Sequence, residues 1–262
     1  VKDNEIQTSE IRLAKLMEGN FNIKSSQISA AFTYKGLKES LPSFIAKKMG
    51  GVADDFGRIK YNGFADLNKD RVAAKGNLIT GIGQTQIDNF VLRNYSSKMP
   101  EYSGNLTLKD LNTTILTKNK QVGLVSGKFN VQGKGFDINT LSLNTKSQIS
   151  KIELMGKTLN NISLDGELAQ KQFKGIININ DTQARGVVNG KIDFSKPRLS
   201  ADVDAKIDHL NLAYFGASGS GTNTFRGDVK GKVSMTNIND LDLDATINNV
   251  VLGGNKSISI PN

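Results

Sequence analysis

Cysteine and tryptophan are absent from the 262 residues, histidine occurs once and proline four times. Without cysteine there is no disulfide scaffold and no thiolate metal site. A single histidine, His209, leaves neither a His-based triad nor a His cluster for a metal. No apolar run approaches the roughly 18 residues that a membrane helix needs. Nor does a basic start lead into an apolar core, as a secretory leader would require. Aromatic residues make up only 6%, so the core is not aromatic-rich. The chain opens on Val1-Lys2-Asp3-Asn4-Glu5 and reads as an internal piece of a longer protein.

What the sequence has instead is alternation. In residues 184–212, Ala184, Gly186, Val188, Gly190, Ile192 and Phe194 take every second position, with Arg185, Val187, Asn189, Lys191 and Asp193 between them. Ser195-Lys196-Pro197 supplies a turn, because proline presets φ and donates no hydrogen bond to a ladder. Leu199, Ala201, Val203, Ala205 and Ile207 then alternate with Ser200, Asp202, Asp204, Lys206 and Asp208. A period of two over this length predicts a pair of β-strands, each with one dry and one wet face.

The second arm ends on a break of parity. Ile207-Asp208-His209-Leu210-Asn211-Leu212 steps by three and then by two, so the strand must bulge at Asp208-His209 to keep its apolar residues on one side. The same spacing, apolar-(Asp/Asn)-x-apolar-x-Leu, recurs at 87–92, 138–143, 159–164, 238–243 and 247–252. The copies are irregularly separated, which suits a long sheet bending at recurrent places better than a strict solenoid.

Residues 5–18 fit strand or helix, with strand preferred; two short strands are expected around Phe21-Ile23 and Ile28–Tyr34, and further ones near 59–67, 72–78, 85–93, 102–111 and 122–133. Others follow near 136–143, 148–155, 159–169, 173–180, 225–235 and 241–247. Leu37, Leu41, Phe44, Ile45 and Met49 fall at helical spacing and predict one short amphipathic helix over about 36–49, stopped by Gly50-Gly51. Residues 216–223 read as a flexible loop. The fold class is all-β: roughly 16–18 strands in one long antiparallel curled sheet over 1–262, joined mostly by short turns.

No catalytic constellation appears, and the chain reads as neither an enzyme nor a metal or cofactor protein. Asp202, Asp204 and Asp208 share a wet face, but Lys206 interrupts them and no loop presents oxygens as a calcium site would. His209 reads as a solvated corner residue. Gly81-Ile82-Gly83 and Gly133-Lys134-Gly135 precede no helix and read as hairpin turns, not phosphate loops. The net charge is +9. Yet Lys128, Lys174, Lys191, Lys206, Lys230 and Lys232 are spread singly among acidic residues without stacking aromatics. That pattern points away from nucleic acid and toward anionic headgroups or an acidic partner.

The dry face runs through nearly every strand with no residues set aside to cover it. Phe129, Val131, Ile177, Ile179, Val188, Ile192, Phe194, Leu199, Val203, Ile207, Val229, Val233, Leu243 and Ile247 are the candidate lining of a groove for acyl chains. Alternation alone does not separate such a groove from a sealed sandwich, in which the same rows would bury one another.

Runs such as GRIKYNGFADL, YSGNLTLKDLN, GKFNVQGKGFDINTLSLNTKSQIS and NNISLDGELAQKQFKGIININD, with the 184–212 hairpin, resemble the TamB family of the AsmA-like group. So does the strand leading into a short helix with a Leu-Pro inside it. The resemblance implies a segment of a long periplasmic protein, anchored in the inner membrane and reaching an Omp85-type outer-membrane barrel, with a taco-shaped sheet around an apolar groove. It further implies that the partners are phospholipid acyl chains, that barrel and flanking segments of the same chain. The role would be phospholipid transport or outer-membrane protein assembly. A β-sandwich interaction module and a periplasmic chaperone using free strand edges are the competing expectations. A transmembrane barrel fits least, because the wet face is charged and no aromatic girdle exists.

Overall fold

The structure is a computed structural model that describes residues 5–8, 23–33, 57–68, 70–95, 97–117, 120–137, 139–216, 222–236, 240–254 and 258–260. The predicted helix over 36–49 and most of the loop over 216–223 lie outside the described residues. The chain divides into two compact units, Val1–Gly135 and Phe136–Asn262.

The first unit holds β1 (Glu5–Thr8), β2 (Ile23–Thr33), β3 (Arg58–Leu67), β4 (Arg71–Thr80), β5 (Gly83–Arg93), β6 (Glu101–Asn112) and β7 (Val122–Lys134). A five-residue helix, α1 (Thr113–Thr117), lies between β6 and β7. The second unit holds β8 (Ser142–Leu154), β9 (Lys157–Ala169), β10 (Gln172–Asn180), β11 (Ala184–Asp193), β12 (Leu199–Asn211), β13 (Thr222–Met235), β14 (Leu241–Gly254) and β15 (Ile258–Ile260). Within each unit every strand pairs antiparallel with its neighbours in sequence, so the architecture is an all-β meander.

Turn chemistry explains the connections. Asn68 Oδ1 accepts from the backbone N–H of Asp70 (3.1 Å) and Arg71 (2.9 Å), which closes the β3–β4 hairpin. Gly81-Ile82 is the two-residue turn of β4–β5, with the Thr80 hydroxyl donating to Gly83 O at 2.9 Å. Met155 and Gly156 both take positive φ, 50° and 74°, the geometry whose twist matches the flanking strands. Asp193 Oδ1 accepts from Ser195 N at 2.8 Å, so the turn expected at Ser195-Lys196-Pro197 is built on the preceding aspartate.

The bend motif corresponds to real irregularities wherever it falls inside a strand. Asp88-Asn89 oppose the single residue Lys75, Asp208-His209 shift the register against both neighbours, and Asn249-Val250 oppose Gly227. At 159–164 the strand keeps its register with β8, but Asn161 adopts φ 54°. The copies at 138–143 and 238–243 fall largely in connections, and Ile138 and Ile238 lie outside the described residues.

Several sequence expectations need correction. Residues 136–141 form a turn, not a strand, since Thr140 N and Leu141 N donate back to Asp137 O; 142–154 is then one continuous strand. The two short segments expected between Phe21 and Tyr34 are one strand, Ile23–Thr33, with a register shift between Ile23 and Ser26. Gly133 and Lys134 continue β7, and Gly135 N is tied to Pro100 O at 2.8 Å, so no hairpin turn forms there. Among the described residues the two units hold seven and eight strands. His209 sits at the bulge expected of it, half-buried opposite Arg185.

Candidate functional site

The alternation in β10 to β13 becomes two distinct faces once the register is known. On one face Leu164, Ile177, Val188, Ala205, Val229 and Ile247 lie opposite one another in turn across β9 to β14. A second row is Leu168, Phe173, Ile192, Ala201, Val233 and Leu243. Ile162, Ile179, Gly186 and Ile207 form a third, and Leu199 begins a fourth with Met235 and Leu241. Phe194 follows β11 directly, its N–H donating to Lys171 O at 3.0 Å. The second unit therefore brings twelve of the fourteen candidate positions to one side of one sheet. In the first unit Phe129 and Val131 share one face of β7, opposite Leu106 and Gly104.

A row of small residues crosses the same face: Gly166, Gly175, Gly190, Val203, Gly231 and Ala245. A side chain cannot be added at Gly175, where a Cβ would sit 2.2 Å from Asp165 O and 2.6 Å from Gly166 Cα. The neighbouring backbone approaches from the apolar side, which is the signature of a crease. The Phe173 ring lies over Gly166 and Gly175, as the Phe225 ring does over Gly227, replacing contacts the glycines cannot make.

Exposure distinguishes this face from a closed core. Of the fourteen candidates only Val229, at 8%, is buried. Leu243 at 46% and Ile247 at 38% are exposed. The other eleven are half-buried. Leu164, Leu168, Phe173, Ala201, Ala205, Met235 and Leu241 share these rows although they were not among the candidate lining residues. Their parity in the alternation was the available signal.

No protein-family model, curated protein or solved structure matches the chain. The site is therefore read from its own chemistry.

The opposite face is a ladder of charges. Lys191, Asp202, Lys232 and Asp244 are successive cross-strand partners, and so are Asp204 with Lys230 and Lys206 with Asp228. The Lys230–Asp204 pair closes to 3.1 Å and Lys146–Asp165 to 3.5 Å. Two of the three aspartates considered for calcium, Asp202 and Asp204, thus face lysines, and Asp208 lies in the bulge. Among the described residues no three potential metal ligands come together, and no helix is long and apolar enough to cross a membrane.

At one end of the strands, Arg198 forks onto Asp240 (2.8 and 2.7 Å) and Asp242 (2.5 Å), and also donates to Ser234 Oγ. This guanidinium, the hydrogen-bond donor to Asp240, holds that carboxyl below its usual range. At the other end, the Tyr214 hydroxyl donates to Thr158 O (2.7 Å) and accepts from Thr158 N (2.9 Å), so the 212–216 turn reaches back to β9. Lys157 Nζ stands 5.3 Å from the centre of the Tyr214 ring.

Proposed function

We propose that the apolar face is a groove for lipid acyl chains and that the chain is a non-enzymatic segment of a periplasmic lipid conduit. The observation that carries this reading is an apolar face on which nine of the twelve candidate side chains of the second unit stop at half-burial, although Ile162, Phe173, Ala205 and Val229 in the same rows are buried. In a sealed sandwich, inward residues interdigitate to core density and lose nearly all exposure. Here Val188, Ile192, Val203 and Val233 keep a share of theirs although they sit in interior strands. Each acyl CH₂ moved from water onto such a face gains about 0.8 kcal/mol, so no polar anchor is required on it.

The TamB-like runs give the reading its setting: phospholipid carried between inner and outer membranes, or help to outer-membrane protein assembly, alongside an Omp85-type barrel and flanking segments of the same chain. A photo-cross-linking residue placed at Ile192 or Val203 in cells should yield phospholipid adducts. The same probe at Lys191 or Asp202, one position away on the charged face, should yield none. Equal labelling from both faces, or no lipid from either, rejects the groove.

A further inference from the structure

The polar face of the first unit is built differently from the charged ladder of the second. Across β3 to β6, Lys60, Ile79, Gln84 and Lys109 are successive cross-strand partners, and the next row is Asn62, Asn77, Gln86 and Thr107. These strands are flanked by β2 and β7, so both rows lie in the interior of the sheet. A recess of about 590 Å³ opens over them, and its lining holds two lysines and no acidic residue. Lys60 faces Ala31 and Ile79, and Lys109 faces Gln84, so neither stands opposite an aspartate as Lys206, Lys230 and Lys232 do. The carboxylate that follows Lys109 in sequence, Asp110, accepts from the Ser126 hydroxyl at 3.3 Å. Phe64, two residues beyond Asn62 on the same face, is 49% exposed.

From this surface we infer that the recess binds an anionic oligosaccharide, with a carboxylate or phosphate at each lysine and sugar hydroxyls on the amides between. Charge complementarity selects the anions: Lys60 and Lys109 are three strand spacings apart, about 14 Å, with neutral side chains between them. The amides select the hydroxyls. Asn62, Asn77, Gln84 and Gln86 are all exposed, and each offers a donor and an acceptor on one side chain, as a sugar hydroxyl does. A bare polyanion would leave the amide oxygens unmatched. Phe64 and the exposed Ile79 add apolar surface for the C–H face of a sugar ring. This inference uses a polar face of the first unit and stands apart from the acyl-chain reading of the apolar faces.

The probes are a hexasaccharide of galacturonic acid, the neutral maltohexaose, and hexaglutamate, which carries the same side-chain charge without hydroxyls. Titrated into the full chain and followed by calorimetry, the galacturonate should bind about ten-fold or more tightly than either control. Lys60→Gln with Lys109→Gln should weaken it about ten-fold and flatten its dependence on salt. Gln86→Ala should weaken the galacturonate several-fold and leave hexaglutamate unchanged. All three side chains are exposed, so thermal unfolding should not move, and Lys191→Gln in the second unit should leave binding as it is. No binding of the galacturonate, equal binding of either control, binding that survives the double substitution, or tighter lysine-dependent binding to phosphatidylglycerol vesicles would each overturn the inference.

Discussion

Asp181 and Ser147 are the two polar side chains buried among the described residues, at 5% and 1% exposure. Burial opposes ionisation of Asp181. Even so, hydrogen bonds from Gln183 N (2.7 Å) and from Asn160 N and Nδ2 (2.9 and 3.0 Å) hold its carboxyl below the ordinary value. The aspartate thereby fixes the β10–β11 turn to the start of β9. Asp181→Asn presents an amide NH₂ to donors and should cost about 1–3 kcal/mol in urea unfolding. The folded pKa is depressed, so this stabilisation is complete above the unfolded value near ~3.9 and fades as pH falls through the folded one. The gap between wild type and variant should accordingly narrow in acid; a constant gap contradicts the assignment. A second residue-scale case is Gln170-Lys171, a hairpin turn with φ of 48° and 63° and no glycine. Replacing the pair with Asn-Gly should raise stability by about 1 kcal/mol, read as a higher melting temperature. The alternation on either side placed this turn between strands expected near 159–169 and 173–180, although neither residue carries turn chemistry.

At the scale of the strand, register follows from two codes written on opposite faces. Parity made the apolar code readable, including the bulges at Asp88-Asn89, Asp208-His209 and Asn249-Val250. A further bulge escaped, where Lys109-Asp110 oppose Ser126 and Asp110 takes φ 48°. Its signal was the same step of three, Leu108 to Leu111, without the motif's aspartate or asparagine in second place. The strand expected over 136–143 failed because Asp137 turns the chain, its backbone oxygen and carboxylate together serving the amides of residues 139–141. The charge code was invisible before pairing was known: of the lysines that looked scattered, Lys191, Lys206, Lys230 and Lys232 stand opposite aspartates, while Lys128 stands opposite Thr107. Lys174 opposite Lys191 is an exception, and each has an acidic neighbour on its other side, Glu167 and Asp202. Asp204→Lys and Lys230→Asp should each destabilise, and the double swap should recover about 0.5–1 kcal/mol, an energy that shrinks in high salt. Strict additivity in the cycle would remove the ladder from the list of register determinants. Gly175→Ala tests the crease in the same sheet: with a carbonyl 2.2 Å from the new Cβ, the cost should be about 1–3 kcal/mol, and a neutral outcome would mean the strand straightens freely.

For the whole molecule, the deciding question is whether the apolar faces are interior or surface. Strand content, antiparallel order and the sidedness of each hairpin were legible from periodicity. Sidedness does not tell how far the dry face is covered, because that depends on what packs above it and not on the strand's own residues. Val229 and Ile247 separate the possibilities well, being direct cross-strand partners in one apolar row with exposures of 8% and 38%. A lysine at Val229 buries an uncompensated charge between strands and should cost about 3–5 kcal/mol. One at Ile247 can carry its ammonium to water along the open face and should cost under about 1 kcal/mol. Urea unfolding of the two variants measures the difference. If Ile247→Lys unfolds the chain as readily as Val229→Lys, the face is sealed in solution, no acyl chain can reach it, and the sandwich reading takes precedence. If the two separate as expected, the row grades from core to surface within a single sheet, which a closed core would not allow.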